Sequence, residues 1–247
     1  MKSCHSIFHL MSCWLIVIFI QIPAYSSAQV YFETLPSTKS EGTINIYGRG
    51  SLSDKIPLSS IKGSPFWSDD WKPAILLGKN PQEKWNQRIK LNLFTNEIYY
   101  KNKDNEEQVV NEGIIQKIIF IDEKDNSRQT AVFLNGIPSS GMGHEKINGF
   151  VQILNEGKYQ LLKSIKESVI QEDSLFGTLQ KYSFRKEISY YLAEPNTVLP
   201  VKKLSKISYL LFENQQTDPD HWITRNKIDL RKEADVVKYL TYLNVKN

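Results

Sequence analysis

Gly63-Ser64-Pro65-Phe66-Trp67-Ser68-Asp69-Asp70-Trp71, running on as KPAILLGKNPQEKWNQRIKLNLFTNEIYY from Lys72 to Tyr100, is the stretch that decides the fold. Within it, Trp85 to Phe94 alternates: Trp85, Gln87, Ile89, Leu91 and Leu93 share one face, and Asn86, Arg88, Lys90 and Asn92 the other. A period of two over so long a run predicts a strand with one wet face. Thr95-Asn96 then turns the chain into Glu97 to Lys101, giving a hairpin. On the other side, Pro73 to Gly78 predicts a buried strand, and Lys79 to Gln82 a turn. In the opening box Gly63 and Pro65 break regular structure just where Phe66, Trp67 and Trp71 are large and apolar. Two roles are open to these rings. They plug the core beneath a loop, or Trp67 and Trp71 form a stacking platform for a sugar or aromatic ligand, with Asp69 and Asp70 as hydrogen-bond acceptors. Large rings stabilise most when buried, which favours the plug.

Working outward, the same alternation recurs. Asp104-Asn105 turns the chain toward Gln108 to Val110, and Gly113 to Ile121 is apolar on both faces except at Gln116 and Lys117, as a central strand requires. The polar run Asp122 to Arg128 reads as a hairpin tip. Its acids lack the alternating oxygen ligands and the loop glycine of a calcium site. Gln129 to Leu134, Phe150 to Leu154, Tyr159 to Ile165 and Lys181 to Leu192 complete the downstream strands, the last with Tyr182, Phe184, Ile188, Tyr190 and Leu192 on one side and Lys181, Ser183, Arg185, Glu187 and Ser189 on the other; Glu167 to Thr178 is ambiguous. Upstream, Gln29 to Ser40 lies over the surface or adds an edge strand, and Thr43 to Tyr47 is a short strand. The glycines of Gly48-Arg49-Gly50 permit a turn; a phosphate loop would need a helix after them. Beyond Pro200 the period becomes helical, predicting helices over Val201 to Glu213, from Asp218-Pro219 through Ile223, and over Leu230 to Leu243 with Ala234, Val237 and Leu240 inward. The fold class is therefore α+β and mainly β: an antiparallel sheet, sandwich or barrel-like domain over 29–200. Two to three helices at 201–247 cap it as part of the same domain.

The start reads as an export signal over 1–28. Lys2 precedes an apolar run from Leu10 to Ile22, and Ser26 and Ala28 precede Gln29, so cleavage is expected after Ala28. The apolar run is short for a membrane span. Cys13 follows Leu10-Met11-Ser12 in loose imitation of a lipidation box, but the most apolar residues, Trp14 to Ile20, come after it. Both cysteines, Cys4 and Cys13, leave with the signal, which excludes disulfides, a catalytic cysteine and zinc–thiolate sites from the mature chain. The 31 basic and 27 acidic residues are interspersed, as in KNKDNEEQ from Lys101 to Gln108. No block forms a nucleic-acid footprint.

Catalytic constellations are missing too. Serine hydrolysis needs a base oriented by a third group, and only His144 and His221 follow the signal. No spacing supplies carboxylate partners for a metal site, so neither metal nor cofactor is expected. Asn135 to Gly149 (NGIPSSGMGHEKING) is poor in core residues and reads as a flexible connection or a functional loop, with flexibility favoured. A glycosidase needs only two carboxylates, for which Asp69 or Asp70 with a distant acid such as Glu97 are the candidates. A transmembrane β-barrel is disfavoured by the helical C-terminal quarter and the polar Val245-Lys246-Asn247 end.

Gly63 to Tyr100, Gly157-Lys158-Tyr159-Gln160-Leu161-Leu162-Lys163, Tyr190-Tyr191-Leu192, and Asn226-Lys227 with Asp235 to Tyr242 resemble an uncharacterised family of secreted proteins common in Bacteroidota. That resemblance implies export, to the periplasm or beyond, and a β-rich fold with a helical C-terminus; it supplies no activity. The expectation is a soluble, exported, non-enzymatic binding or cell-envelope module, with a glycan or envelope partner and no transmembrane segment in the mature chain. The alternative is a carbohydrate-binding or glycoside-hydrolysing protein using Trp67, Asp69, Asp70 and Trp71.

Overall fold

The structure, a computed structural model, describes residues 34–47, 53–80, 82–138, 147–172, 181–212 and 219–246. The predicted signal with Cys4 and Cys13, the Gly48-Arg49-Gly50 turn, His144 and Asp218 lie outside the described residues.

The first strands are β1 (Ser37–Lys39), β2 (Thr43–Tyr47) and β3 (Ser53–Pro57); the decisive stretch supplies β4 (Lys72–Gly78), β5 (Lys84–Leu91) and β6 (Ile98–Lys101). Next come β7 (Glu107–Val110), β8 (Ile115–Ile121), β9 (Gln129–Asn135) and β10 (Phe150–Ile153). They are followed by the long pair β11 (Gln160–Glu172) and β12 (Lys181–Glu194), and by β13 (Thr197–Val201). Helices α1 (Ile207–Phe212), α2 (Pro219–Arg225) and α3 (Glu233–Lys246) come last.

All strands but β2 and β3, which form their own hairpin, join one antiparallel sheet in the order β1-β7-β6-β5-β4-β8-β9-β10-β11-β12-β13. The predicted central strand, β8, does sit in the middle, between β4 and β9. The β5–β6 hairpin pairs Leu91 with Ile98, and its turn places Asn96 at φ 63°, a left-handed conformation that asparagine tolerates. β1 takes up the edge-strand option at one end by pairing with β7.

The sheet does not close into a barrel, but it curls until β11 meets the end of β5, with β4, β8, β9 and β10 between them in the order. There the Glu167 N–H donates to the Leu93 carbonyl (3.2 Å). The box segment ties the same seam. Lys62 exchanges hydrogen bonds with β12, its N–H to Tyr182 O and its carbonyl from Phe184 N–H (both 2.9 Å), while Trp67 N–H reaches Leu91 O (2.8 Å) and Leu93 N–H reaches Pro65 O (2.7 Å). Inside the curl Leu76, Ile89, Ile118 and Phe133 are fully buried, with Trp85, Phe120 and Phe150 packed around them.

The helices cover the β11–β13 end of the sheet. Leu161 and Leu192 pack with Ile207 and Leu211 of α1 and with Val236, Tyr239, Leu240 and Leu243 of α3. Leu162, one residue along β11, turns to the opposite face and joins Val151, Ala193 and Val198, as strand alternation demands. Among the described residues no helix is long and apolar enough to cross a membrane.

Three sequence expectations are corrected here. Val201 ends a strand that the sequence reading missed, so α1 starts only at Ile207. β13 is an edge strand, where Pro200 withdraws no needed N–H from the ladder. Helix α3 begins at Glu233 rather than Leu230, because Asp229 first closes a turn with Lys232 N–H (2.9 Å) and donates its own N–H to Asp235 Oδ2 (3.1 Å). The inward face shifts with it: Ala234 is exposed, Val237 half-buried, and Val236, Tyr239, Leu240 and Leu243 are buried. Finally, Ile188, placed on the apolar side of β12 by its alternation, is 47 % exposed.

Candidate functional site

The tryptophan box does not assemble a common cleft. The Trp67 ring lies against Phe120 at 4.4 Å between centroids, tilted by 30°, and meets Phe133 edge-on at 5.5 Å. Trp71 is half-buried, with Lys90 Nζ 5.1 Å and Lys101 Nζ 5.7 Å from its ring centre. Asp69 and Asp70 are exposed, and Asp70 pairs with Lys72 at 3.3 Å. The acids after β8 serve their own turn: Asp122 Oδ1 accepts from Lys124 N–H, and Asp125 Oδ1 accepts from the N–H and hydroxyl of Ser127. His221 is exposed on α2.

A cavity lies elsewhere, at the seam where the sheet curls back on itself. It encloses about 760 Å³, within the span of roughly 300–1,000 Å³ usual for small-molecule sites. Its walls come from the turn Leu93 to Ile98, from Val110 to Gln116, from Asn135 and Gly136, from Ile147 to Phe150, and from Ile165 to Glu167 of β11. Glu97, considered from sequence only as a distant acid partner, is among them; Trp67, Asp69, Asp70 and Trp71 are not.

Local chemistry holds this cleft open. Asn92 is fully buried and its Oδ1 accepts from Phe94 N–H (2.9 Å) and Thr95 N–H (3.1 Å), which fixes the turn that forms one wall. Asn96 Oδ1 accepts from Phe150 N–H (2.7 Å), joining that wall to the start of β10. Gly149 at φ 92° makes the approach possible, since a Cβ there would lie 2.7 Å from Asn96 Oδ1. Tyr99 O–H donates to Glu97 Oε2 (2.9 Å); burial, and then the negative charge of Glu97, push the Tyr99 hydroxyl far above its ordinary range. The Asn92 and Thr95 side chains of the same turn face the Tyr99 hydroxyl and partly offset that rise.

Glu167 is the most unusual group of the lining. Its side chain is only 4 % exposed, and its one ionic partner among the described residues, Lys186 across the β11–β12 ladder, stands 3.6 Å away. Burial raises its carboxyl above the usual carboxylate range, against the opposing pull of Lys186. On the same lining the half-buried carboxamides of Gln116 and Asn135 and the exposed ones of Asn111 and Asn148 make no hydrogen bond with any other described residue. The cleft therefore offers several donor–acceptor groups and one buried carboxyl to whatever enters it.

No protein-family model matches the chain, and neither a curated protein nor a solved structure matches it. The cleft must be read from its own chemistry.

Sequence reasoning missed most of these residues. Gln116 stood out only as an interruption in an apolar strand, and Glu167 fell in the segment left ambiguous. One signal did point here: the core-poor segment Asn135 to Gly149, whose described ends supply Asn135, Asn148 and Gly149 to the wall.

Proposed function

We propose that the protein is an exported, non-enzymatic binding module that holds a small polar ligand in the cleft between the β5–β6 turn and β11. The observation that carries this is a buried, weakly paired Glu167 on the lining of a cavity of about 760 Å³ that the half-buried carboxamides of Gln116 and Asn135 also line. Ionisable groups perturbed by burial in a cleft are candidates for functional sites. The tryptophan box supports a carbohydrate site less well, since the Trp67 ring is packed on core phenylalanines and the Trp71 ring already has two lysines over it.

Thermal unfolding of the secreted form against a library of sugars, amino acids, nucleosides and short peptides tests the proposal. A ligand at about 100 times its Kd adds roughly 2.7 kcal/mol of stability. One that stabilises the chain and is recovered unchanged supports a binding module; no stabilising compound, or turnover of the one found, overturns it. Export is tested by N-terminal sequencing of the secreted form, which should begin at Gln29.

A further inference from the structure

One edge of β12 is left open over a short stretch. At one end Lys62 pairs with it, giving its N–H to Tyr182 O and accepting from Phe184 N–H, and at the other end β13 pairs with it only from Tyr190 onward. Successive residues of a strand turn their backbone groups to opposite edges, so Lys186 and Ile188 present theirs on the same side as Tyr182 and Phe184. Neither the N–H nor the C=O of these two residues bonds to a described residue on that side. Arg185 to Ser189 are exposed throughout. A row of unpaired strand groups is a template for another strand, and strand addition is a recurrent mode of peptide recognition. At about 3.3 Å per residue, the opening takes about five residues of extended chain.

The side chains around the opening select its occupant. Ile188 is 47 % exposed beside Ile165, its buried ladder partner, so an incoming strand gains most from an aliphatic residue opposite Ile188. Charge sets the rest. Lys62, Lys186, Lys202 and Lys203 are exposed at the opening or at its ends. Among the described residues only Lys186 of these four meets an acid, Glu167 at 3.6 Å, while Arg185 is matched by Glu187 at 3.0 Å. The surplus of positive charge favours an acidic segment. A second copy of the chain fits worse, because antiparallel pairing of two such edges sets Glu187 directly against its own counterpart and brings both sets of lysines together.

Independently of the cleft, whose lining includes no residue of β12, we infer that this edge binds an extended acidic peptide by strand addition. The peptide runs antiparallel to β12, in line with β13, with an aliphatic side chain opposite Ile188 and, two residues on, an acid opposite Lys186.

Fluorescence anisotropy of the secreted form with synthetic ten-residue peptides tests this. The probe alternates threonine with valine and glutamate; its controls carry lysine in place of glutamate, or N-methylated backbone amides. The acidic peptide should bind, both controls at least tenfold more weakly, and the amides of Lys186 and Ile188 should become protected from hydrogen exchange on binding. Ile188→Pro, which removes an N–H that the β11 ladder does not use, should weaken binding at least tenfold. If that variant folds poorly, the exposed pair Lys202→Glu/Lys203→Glu should do the same with unchanged thermal unfolding. Absence of binding, equal binding of the acidic and lysine peptides, or binding indifferent to both variants overturns the inference. So does slow exchange at Lys186 and Ile188 in the free chain, which would show that the edge is already covered, or a dimer that Ile188→Pro dissolves.

Discussion

Two regions of one sheet contain the same residue types in opposite circumstances. At the helix-covered end, Glu233 of α3 accepts hydrogen bonds from Lys163 of β11 and from the Tyr190 hydroxyl of β12, both at 2.7 Å. Nearby, Asn244 accepts from Tyr159 N–H (2.8 Å) and donates to the carbonyls of Glu156 (2.8 Å) and Tyr159 (2.9 Å). At the cleft end, Glu167 has one lysine at 3.6 Å, and the half-buried carboxamides of Gln116 and Asn135 bond to no other described residue. Burial acts on both glutamates, yet their acidities move apart. Burial raises Glu233 and its two donors outweigh that, holding it below the ordinary range, while Glu167 stays raised. The difference teaches that residue type alone does not mark a site; a buried charge left weakly paired does.

The largest expected effect of testing that contrast is at Asn244. Asn244→Ala leaves the N–H and carbonyl of Tyr159 and the carbonyl of Glu156 without these partners, and should cost about 3 kcal/mol in urea unfolding. The fit is tight on the other side as well, because a Cβ at Gly157 (φ 117°) would collide with the Asn244 side chain. A loss below about 1 kcal/mol would mean that this end is no better bonded than the cleft.

Glu233→Gln comes next. It should cost about 2 kcal/mol at neutral pH, since Lys163 is only 18 % exposed and would lose its counter-charge. The sign with pH follows from the depressed carboxyl. Its stabilisation is present above the unfolded pKa and is lost as pH falls through the folded one. The gap between wild type and variant should therefore shrink in acid, read by unfolding curves across pH. The Tyr190 hydroxyl, pushed up to about 12 by burial and then by its bond to Glu233, should titrate at lower pH in the variant.

Glu167→Gln should behave the opposite way. Folding favours the protonated form of a carboxyl whose pKa is raised, so ionisation lowers stability once the pH exceeds the folded pKa, and this loss is absent below the unfolded value. The variant should equal or exceed wild type at neutral pH by up to about 1 kcal/mol, and the gap should close in acid. A clear loss at neutral pH would make Glu167 a structural ion pair with Lys186.

How much of this was legible in the sequence depended on whether a signal was local. Alternation from Trp85 to Phe94 found β5, because period two is written into adjacent residues, but ran it past Leu91, where Asn92 already opens the turn. The edge strand β13 was not readable, since Pro195-Asn196 and Pro200 look like breakers until the edge that tolerates them is known. Ile188 misled because alternation reports sidedness and not cover; the β11–β12 hairpin runs on past β13, whose pairing begins only at Tyr190. The cleft was the least legible of all. Its wall residues run from Lys79 to Glu167 in the chain, and they meet only because the sheet curls. The tryptophan box drew attention by composition, and its rings turned out to sit on the core and beneath lysines.

The smallest expected effect is the one on which the contrast most depends. Gln116→Ala and Asn135→Ala should each change unfolding free energy by no more than about 0.5 kcal/mol, because neither side chain bonds to any described residue. In an ordinary wall such residues would be replaceable without consequence of any kind. Here they should be neutral for folding and costly for ligand binding, a separation that a structural role cannot produce. A loss of about 1.5 kcal/mol or more in the unliganded chain would show that these carboxamides hold the wall together, and the two ends of the sheet would then differ in degree rather than in purpose.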